Sequence, residues 1–373
     1  MDLIEGKEGN TRFFIPRPVS TSTFPPSRAP VFFNPRMELS RDATVLLLSN
    51  TQPRSYLDAM GGTGVRGLRV AGECRVPVTI NDRSPMAVDL IRRNVEESGI
   101  PVEVTHSDVN VLLSSRHFDA VDLDPFGTPA PYVDAAARST GRFLYVTATD
   151  TAPLCGAHKK AGIRRYFAVP GNTEYHAEVG LRVLLGFVVR ELAKYDRGLS
   201  PLFCFTREHY VRLHLRLDRG ATRADRTIAR IGFILQCTGC PNRVETPGVI
   251  CPSGRCEHCG SELVPIGPLW LGPVGDGDVL SEMVGRTSSL RLGTSEELTR
   301  LVTLCREELG TSSFYDYHRL AKFSRISPPP IGEFLERLRS RGFQATRTHY
   351  SGTGVKTDAP LPEILEAIRL RGR

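Results

Sequence analysis

Apolar and polar positions along the chain follow two rhythms. Residues 41–48 have helical spacing. The chain then reads strand, glycine turn and helix in SYLDAMGGTGVRGLRVAGE, followed by the apolar-led VPVTINDRS and the helical MAVDLIRRNVEESG. Short apolar runs at 102–106, 118–124 and 143–147 continue the series. Strands alternating with helical stretches predict an α/β domain built on a largely parallel sheet.

Further on, 176–194 reads as a helix, and REHYVRLHLRLDRG alternates with period two, as a half-buried strand should. IGEFLERLRSRGF is an amphipathic helix, with Phe334, Leu335, Leu338 and Phe343 expected in a core, and QATRTHYSGTGVKTDAP has strand-then-loop character. The Pro- and Ser/Thr-rich stretch 14–36 is expected to be an arm rather than regular structure throughout. No internal repeat is visible. A boundary near residue 225 predicts an arm and α/β domain over 1–225 and a second, α+β domain over 226–373 that opens with a cysteine cluster.

The 373 residues suit two or three domains. Hydrophobic residues at 40% and charged residues at 24% match globular usage and exclude wholesale disorder. No apolar run is long enough to span a bilayer, since the stretch 179–189 is broken by Arg182, and the start lacks an export signal; a cytoplasmic protein is expected. The +7 charge permits a polyanionic partner without proving one. Seven arginines between 207 and 230 are candidates for a nucleic-acid backbone, with a solvated face the equal alternative.

Five of nine cysteines fall between 237 and 259. Cys237-x-x-Cys240 and Cys256-x-x-Cys259 form paired knuckles over 237–259, the spacing of a closed tetrahedral Zn2+ site that stabilises a fold rather than activating water. Cys251 and His258 are read as bystanders.

The turn YLDAMGGTGVRG places Asp58 at a strand end and glycines at 61, 62, 64 and 67. Such a turn lets a ligand approach the backbone at a helix N-terminus. Asp82 closes the next strand, where a carboxylate can accept both hydroxyl hydrogens of a ribose, and Asp108 follows the third strand, within reach of an adenine edge. Each acid alone would equally serve as a helix cap; together they suit an adenosine-containing cofactor.

Asp124-Pro125-Phe126-Gly127 resembles the acid-Pro-aromatic motif of S-adenosylmethionine-dependent methyltransferases acting on exocyclic nitrogens. An exocyclic amine is a poor nucleophile, so such a site must accept its N–H. Asp124 is the candidate acceptor and Phe126 the face for the base. A carboxylate has only acceptors: it suits the N1–H and N2–H of guanine and opposes the N1 acceptor of adenine. A helix cap at Asp124 and a core role for Phe126 are the structural alternatives.

The chain more widely resembles the tRNA guanine-26 N2-dimethyltransferase family, especially its archaeal members. The resemblance rests on FFNPRMELSRD, DAMGGTGVRGLR, DLDPFGTP, VTATDTAPLCG, the paired cysteines, GPLWLGP and HYSGTGVKTDAP, in order across nearly the whole chain. Leu39-Ser40 depart from the usual Phe-Asn. The resemblance implies a Rossmann-like class I methyltransferase domain, transfer of methyl groups to N2 of guanosine 26 in tRNA, and a second transfer giving N2,N2-dimethylguanosine. It assigns Arg41, Arg66, Asp82, Asp108 and Val109 to the S-adenosylmethionine pocket, beside Asp58 and Gly61 of the turn. Residues 349–356 and the arginines at 337, 339, 341 and 347 are then candidates for tRNA contact, with ordinary surface residues the equal alternative. Asp150 is either an orienting group or a turn cap. A monomer is the starting expectation. Methylation of another nucleic-acid amine, or a catalytically silent zinc-containing tRNA-binding protein, are the alternatives.

Overall fold

The structure is a computed structural model, and it describes residues 2–17, 30–251 and 253–369. Part of the proline-rich arm, 18–29, lies outside the described residues. The chain forms two compact units that do not follow a single cut near 225. The first combines 1–147, 214–217 and 277–303; the second combines 148–213, 218–276 and 304–373.

In the first unit, strands β1 (Leu3–Glu8) and β2 (Thr11–Pro16) form an antiparallel hairpin. Asn94 fixes it: its Oδ1 accepts from the Phe14 N–H at 2.7 Å and its Nδ2 donates to the Phe14 carbonyl at 3.0 Å. Helix α1 (Glu38–Thr51) follows, and then strands and helices alternate: β3 (Tyr56–Asp58), α2 (Val65–Cys74), β4 (Val78–Asp82), α3 (Pro85–Ser98), β5 (Glu103–His106), α4 (Val109–Ser115), β6 (Phe118–Leu123), α5 (Ala130–Ser139) and β7 (Thr140–Ala148). The strands lie in the order β5-β4-β3-β6-β7, all neighbours parallel.

Counted along the chain, that order is 3-2-1-4-5. The winding reverses between β3 and β6, and in open parallel sheets ligands bind beyond the carboxyl ends of the strands at such a switch. Burial explains the composition of these strands: Tyr56, Leu57, Ile80, Ala120, Val121 and Leu123 are fully buried, as expected of a sheet covered on both faces.

The second unit contains α6 (Thr151–Leu154), α7 (Lys159–Tyr166), α8 (His176–Ala193) and β8 (Arg197–Arg207). Next comes β9 (Tyr210–Arg219), whose residues 214–217 belong to the first unit. The alternation expected for β9 fails, because Tyr210 to Leu215 are all buried, Arg212 and His214 included. Buried Arg212 is therefore not part of any basic surface, whereas Arg216, Arg219, Arg223, Arg226 and Arg230 are exposed.

Two antiparallel sheets complete this unit. One orders β10 (Ile231–Cys237), β11 (Arg243–Pro247) and β12 (Leu263–Trp270) as β11-β10-β12. The other orders β13 (Tyr315–Asp316), β14 (Ala345–Arg347) and β15 (Gly354–Thr357) as β13-β15-β14. Phe334, Leu335 and Leu338 sit in their shared core with Phe343 packed against it, alongside Cys237, Cys240 and Cys256. Among the described residues, no helix is long and apolar enough to cross a membrane.

Candidate active site

The site is assembled where β3 and β6 end. Asp58 and Asp122 face each other in register across these strands, and Asp124 lies just past the end of β6. The residue after β3 is tied to the same place, the Ala59 N–H donating to the Asp122 carbonyl at 3.1 Å.

Arg66, one residue into α2, reaches back to these carboxylates. Its Nη2 donates to Asp124 Oδ2, its Nη1 donates to Thr44 Oγ1 at 3.0 Å, and its Nε lies 3.9 Å from Asp122 Oδ2. Tyr56 donates its hydroxyl to that same Asp122 oxygen at 2.6 Å. Burial opposes the charge on Arg66, but Asp122 and Asp124 overcome it and push its pKa above the usual range. Asp58 accepts the Gly67 N–H at 3.0 Å. Burial, reinforced by Asp122 and Asp124 and opposed by Arg66, pushes its carboxyl up to about 7.

The glycine turn makes room beside this network. Gly62 is in the left-handed region at φ +56°, and its N–H donates to Asp82 Oδ2 at 2.9 Å. A Cβ at Gly61 would come within 2.4 Å of the Ile80 side chain, so the turn can lie this close to β4 only as glycine. Asp82 also accepts the Ser84 N–H at 2.8 Å, so both carboxylate oxygens hold backbone while each keeps a lone pair. Asp82 is opposite His106 in the sheet, which brings Asp108 to the neighbouring strand end. There Asp108 caps α4, its Oδ1 accepting from Asn110 N at 2.8 Å, and Val109 is buried.

Of the expected cofactor residues, Asp58, Gly61, Arg66 and Asp82 are linked around one turn. Arg41 is engaged elsewhere: its guanidinium forks Glu8, with Nε to Oε2 at 2.6 Å, and lies over the Phe33 ring at 5.2 Å. Phe126 is not a core residue. Its ring is 67% exposed and meets the edge of Phe32, itself 39% exposed, at 5.6 Å. Asp150, in the second unit, accepts from Tyr166 Oη at 2.6 Å and pairs with Arg165 at 2.9 Å.

Two participants carry no motif in the sequence. Tyr56 and Asp122 are interior strand residues, and their only signal was period two, which puts Asp122 and Asp124 on one side of the chain. The expected RNA-facing group at 349–356 is corrected outright. Lys356 is buried and bridges Glu178 at 2.6 Å and Glu308 at 2.9 Å, and His349 Nδ1 lies 2.6 Å from Glu308 Oε2. Burial opposes the charge of Glu308, but Lys356 and His349 hold it well below the usual carboxylate range. Arg337, Arg339 and Arg341 pair with Glu333, Glu336 and Glu363, and Arg347 donates to the Gly352 carbonyl. His349 and Lys356 are thus interior, and the four arginines have partners within the second unit.

The four knuckle cysteines converge. Cys237 Sγ lies 3.4 Å from Cys259 Sγ, Cys240 Sγ lies 3.7 Å from Cys256 Sγ, and all four sulfurs fall within 4.8 Å of one another. Four sulfurs at ~2.3 Å from one ion would stand ~3.8 Å apart, so the donor set fits tetrahedral zinc. Hydrogen bonds from Ser261 lower the Cys259 thiol to about 6, whereas burial raises Cys240. Cys251 and His258 are outside the converging group. A second group, Cys305, Glu308 and His349, also converges, but there the Lys356 ammonium already provides the cation.

Comparison with known proteins gives a consistent picture. The family model for N2,N2-dimethylguanosine tRNA methyltransferase matches residues 9–369. A tRNA (guanine(26)-N(2))-dimethyltransferase of Methanoregula boonei is 64% identical over 99% of both chains, and that of Methanoculleus marisnigri is 59% identical over 99% of both. The structure of Trm1 from Pyrococcus horikoshii in complex with S-adenosyl-L-methionine superposes with a TM-score of 0.90 at 37% identity, covering 98% of this chain and all of that one.

Proposed function

The chain belongs to the N2,N2-dimethylguanosine tRNA methyltransferase family, and from that premise we propose that it methylates the exocyclic N2 of guanosine 26 in tRNA, twice, using Asp124 as the acceptor of the amine hydrogen. The observation that carries the proposal is Asp124 itself. Its carboxylate lies just past the end of a strand at the topological switch, is held by the buried Arg66, and stands next in sequence but one to the exposed ring of Phe126.

The glycine turn and the strand-end acids fit the cofactor. The cradle at Gly62 is bare of side chain, with Asp82 and Asp108 at adjoining strand ends and Val109 beside them. Asp58, Gly61, Arg66, Asp82, Asp108 and Val109 would hold it, with Arg41 supporting the pocket through Glu8 and Phe33. When bound, S-adenosylmethionine supplies an electrophilic methyl group and leaves as a neutral thioether.

Asp124 accepts the N2–H and so draws the nitrogen lone pair out of the ring. It then stabilises the positive charge that develops on N2 and takes the proton that nitrogen must lose. Arg66, fixed by Asp122 and Thr44, orients the carboxylate. Phe126 offers its face to the base. After one transfer N2 retains one N–H, and once Asp124, which is partly exposed, has passed its proton to solvent the same acceptor serves the second. After two it has none, and the N2–H hydrogen bond to Asp124 is gone.

The cysteine tetrad is proposed as a structural zinc site. The protein is proposed to be a cytoplasmic monomer, in keeping with a tRNA substrate and with the absence, among the described residues, of a membrane-spanning helix.

Transfer of labelled methyl to unmodified tRNA, followed by nucleoside mapping, tests the assignment. Dimethylation at position 26 is expected, and Asp124→Ala is expected to lower kcat by about 100-fold or more while cofactor and tRNA still bind. Undiminished methylation by that variant would remove Asp124 from the mechanism. Label in another nucleic-acid amine would replace the substrate.

A further inference from the structure

Beyond β7 the chain carries a basic surface that the mechanism does not use. Residues 151–173 contain no Asp or Glu, yet His158, Lys159, Lys160, Arg164 and Arg165 all lie exposed on and beside α7. Asp150 neutralises Arg165. Among the described residues, Lys159, Lys160 and Arg164 have no ion pair. At ~100° per residue, Lys159, Ile163, Lys160 and Arg164 share one face of ~140°, and Ile163 in its middle is 42% exposed.

Phe167 closes the C-terminal end of this face. It is the C-cap, in the left-handed region at φ 50° and ψ 39°, where glycine or asparagine is usual and another residue costs ~1–2 kcal/mol. Its ring nevertheless points outward and is 71% exposed. The backbone beneath it is fixed. Tyr166 and Ala168 on either side are buried, the Phe167 N–H donates to the Ile163 carbonyl at 3.0 Å, and Arg190 of α8 donates to the carbonyls of Tyr166 and Phe167. An exposed aromatic on a fixed backbone beside uncompensated cations points to a ligand with phosphates and bases.

We infer that α7 and Phe167 form a contact surface for the RNA substrate, with Lys159, Lys160 and Arg164 on backbone phosphates and Phe167 stacked on a base. This rests on the tRNA-methylating role proposed above and extends it to a surface separate from the methyl-transfer residues. Charge decides for RNA over a protein partner, because three unpaired cations on a stretch that contains no acid complement a phosphate backbone.

The test uses the full chain with unmodified tRNA. The triple variant K159E/K160E/R164E is expected to weaken tRNA binding at least about tenfold and to reduce the slope of log affinity against log salt by about two, while S-adenosylmethionine affinity is unchanged. Phe167→Gly is expected to lower tRNA affinity by roughly 5- to 100-fold with the thermal midpoint equal or higher, because glycine relieves the positive φ. A lower midpoint with unaltered tRNA affinity would make Phe167 structural and overturn the inference. So would triple-variant binding and salt slope equal to wild type, or a dimer-to-monomer change on sedimentation with tRNA affinity intact, which would assign the surface to a second copy. If the wild-type chain bound tRNA through these residues and methylated none, the enzymatic reading would fail and the surface would stand.

Discussion

At the residue scale the site is a set of carboxylates gathered around one guanidinium. Asp58, buried and beside two other acids, is raised from 3.8 to about 7. The unfolded chain ionises this group near 4. Between about 4 and 7 the folded chain therefore holds a proton that the unfolded chain has lost, and stability falls as pH rises through that window. Asp58→Asn keeps an acceptor for the Gly67 N–H but does not titrate. The expected outcome is that the urea midpoint of the wild type drops between pH 5 and pH 8 more than that of the variant; equal drops would remove Asp58 as the source. Asp124, Asp58 and Gly61 were legible in the sequence because motif and strand-end position mark them. Asp122 and Tyr56 were not, since a buried acid is recognisable only through the partner that neutralises it, and Arg66 is distant in sequence from Asp122. Lys356 shows the same limit more severely: its partner Glu178 is on α8, and nothing local separates a buried lysine from an RNA-facing one.

At the element scale, the parallel strands and the knuckles were read from spacing, whereas β9 was misread. Its alternation predicted an exposed face that the structure buries, because Arg212 and His214 lie in the interior. The knuckles are joined to the core of the second unit, with Cys237, Cys240 and Cys256 in one cluster with Phe233, Leu235 and Phe334. Metal loss should therefore loosen more than a surface loop. About one zinc per chain is expected by metal analysis. Removing it by chelation, or substituting Cys240→Ser, is expected to lower the thermal midpoint by several degrees and to speed amide exchange in β10 and β12. An unchanged midpoint after verified metal removal would contradict a structural zinc. Helix α7 belongs to the same scale: its cations were visible as letters, but the positive φ and the exposed ring of Phe167 exist only in three dimensions.

At the scale of the whole molecule, the single boundary expected near 225 gives way to interlaced units. The first unit takes back residues 277–303, where Leu280, Met283, Leu298 and Val302 are buried and the N–H and hydroxyl of Thr294 donate to the fully buried Asp42 at 2.8 and 2.7 Å. A fragment 1–225 loses these partners and leaves the carboxylate of Asp42 without Thr294. It is expected to be insoluble or to lack a cooperative unfolding transition by circular dichroism. A soluble, cooperatively folding fragment that binds S-adenosylmethionine would show that the returning segment is dispensable.

The interlacing also bears on how the protein is made. All five parallel strands have been synthesised by residue 148, but the Thr294 side of the Asp42 contact is made only about 150 residues later. At roughly 5–20 residues per second, the nascent α/β half waits many seconds with that carboxylate paired to Arg69 but not yet held by Thr294. The half that is begun first is thus closed only after the intervening residues of the second unit have been made.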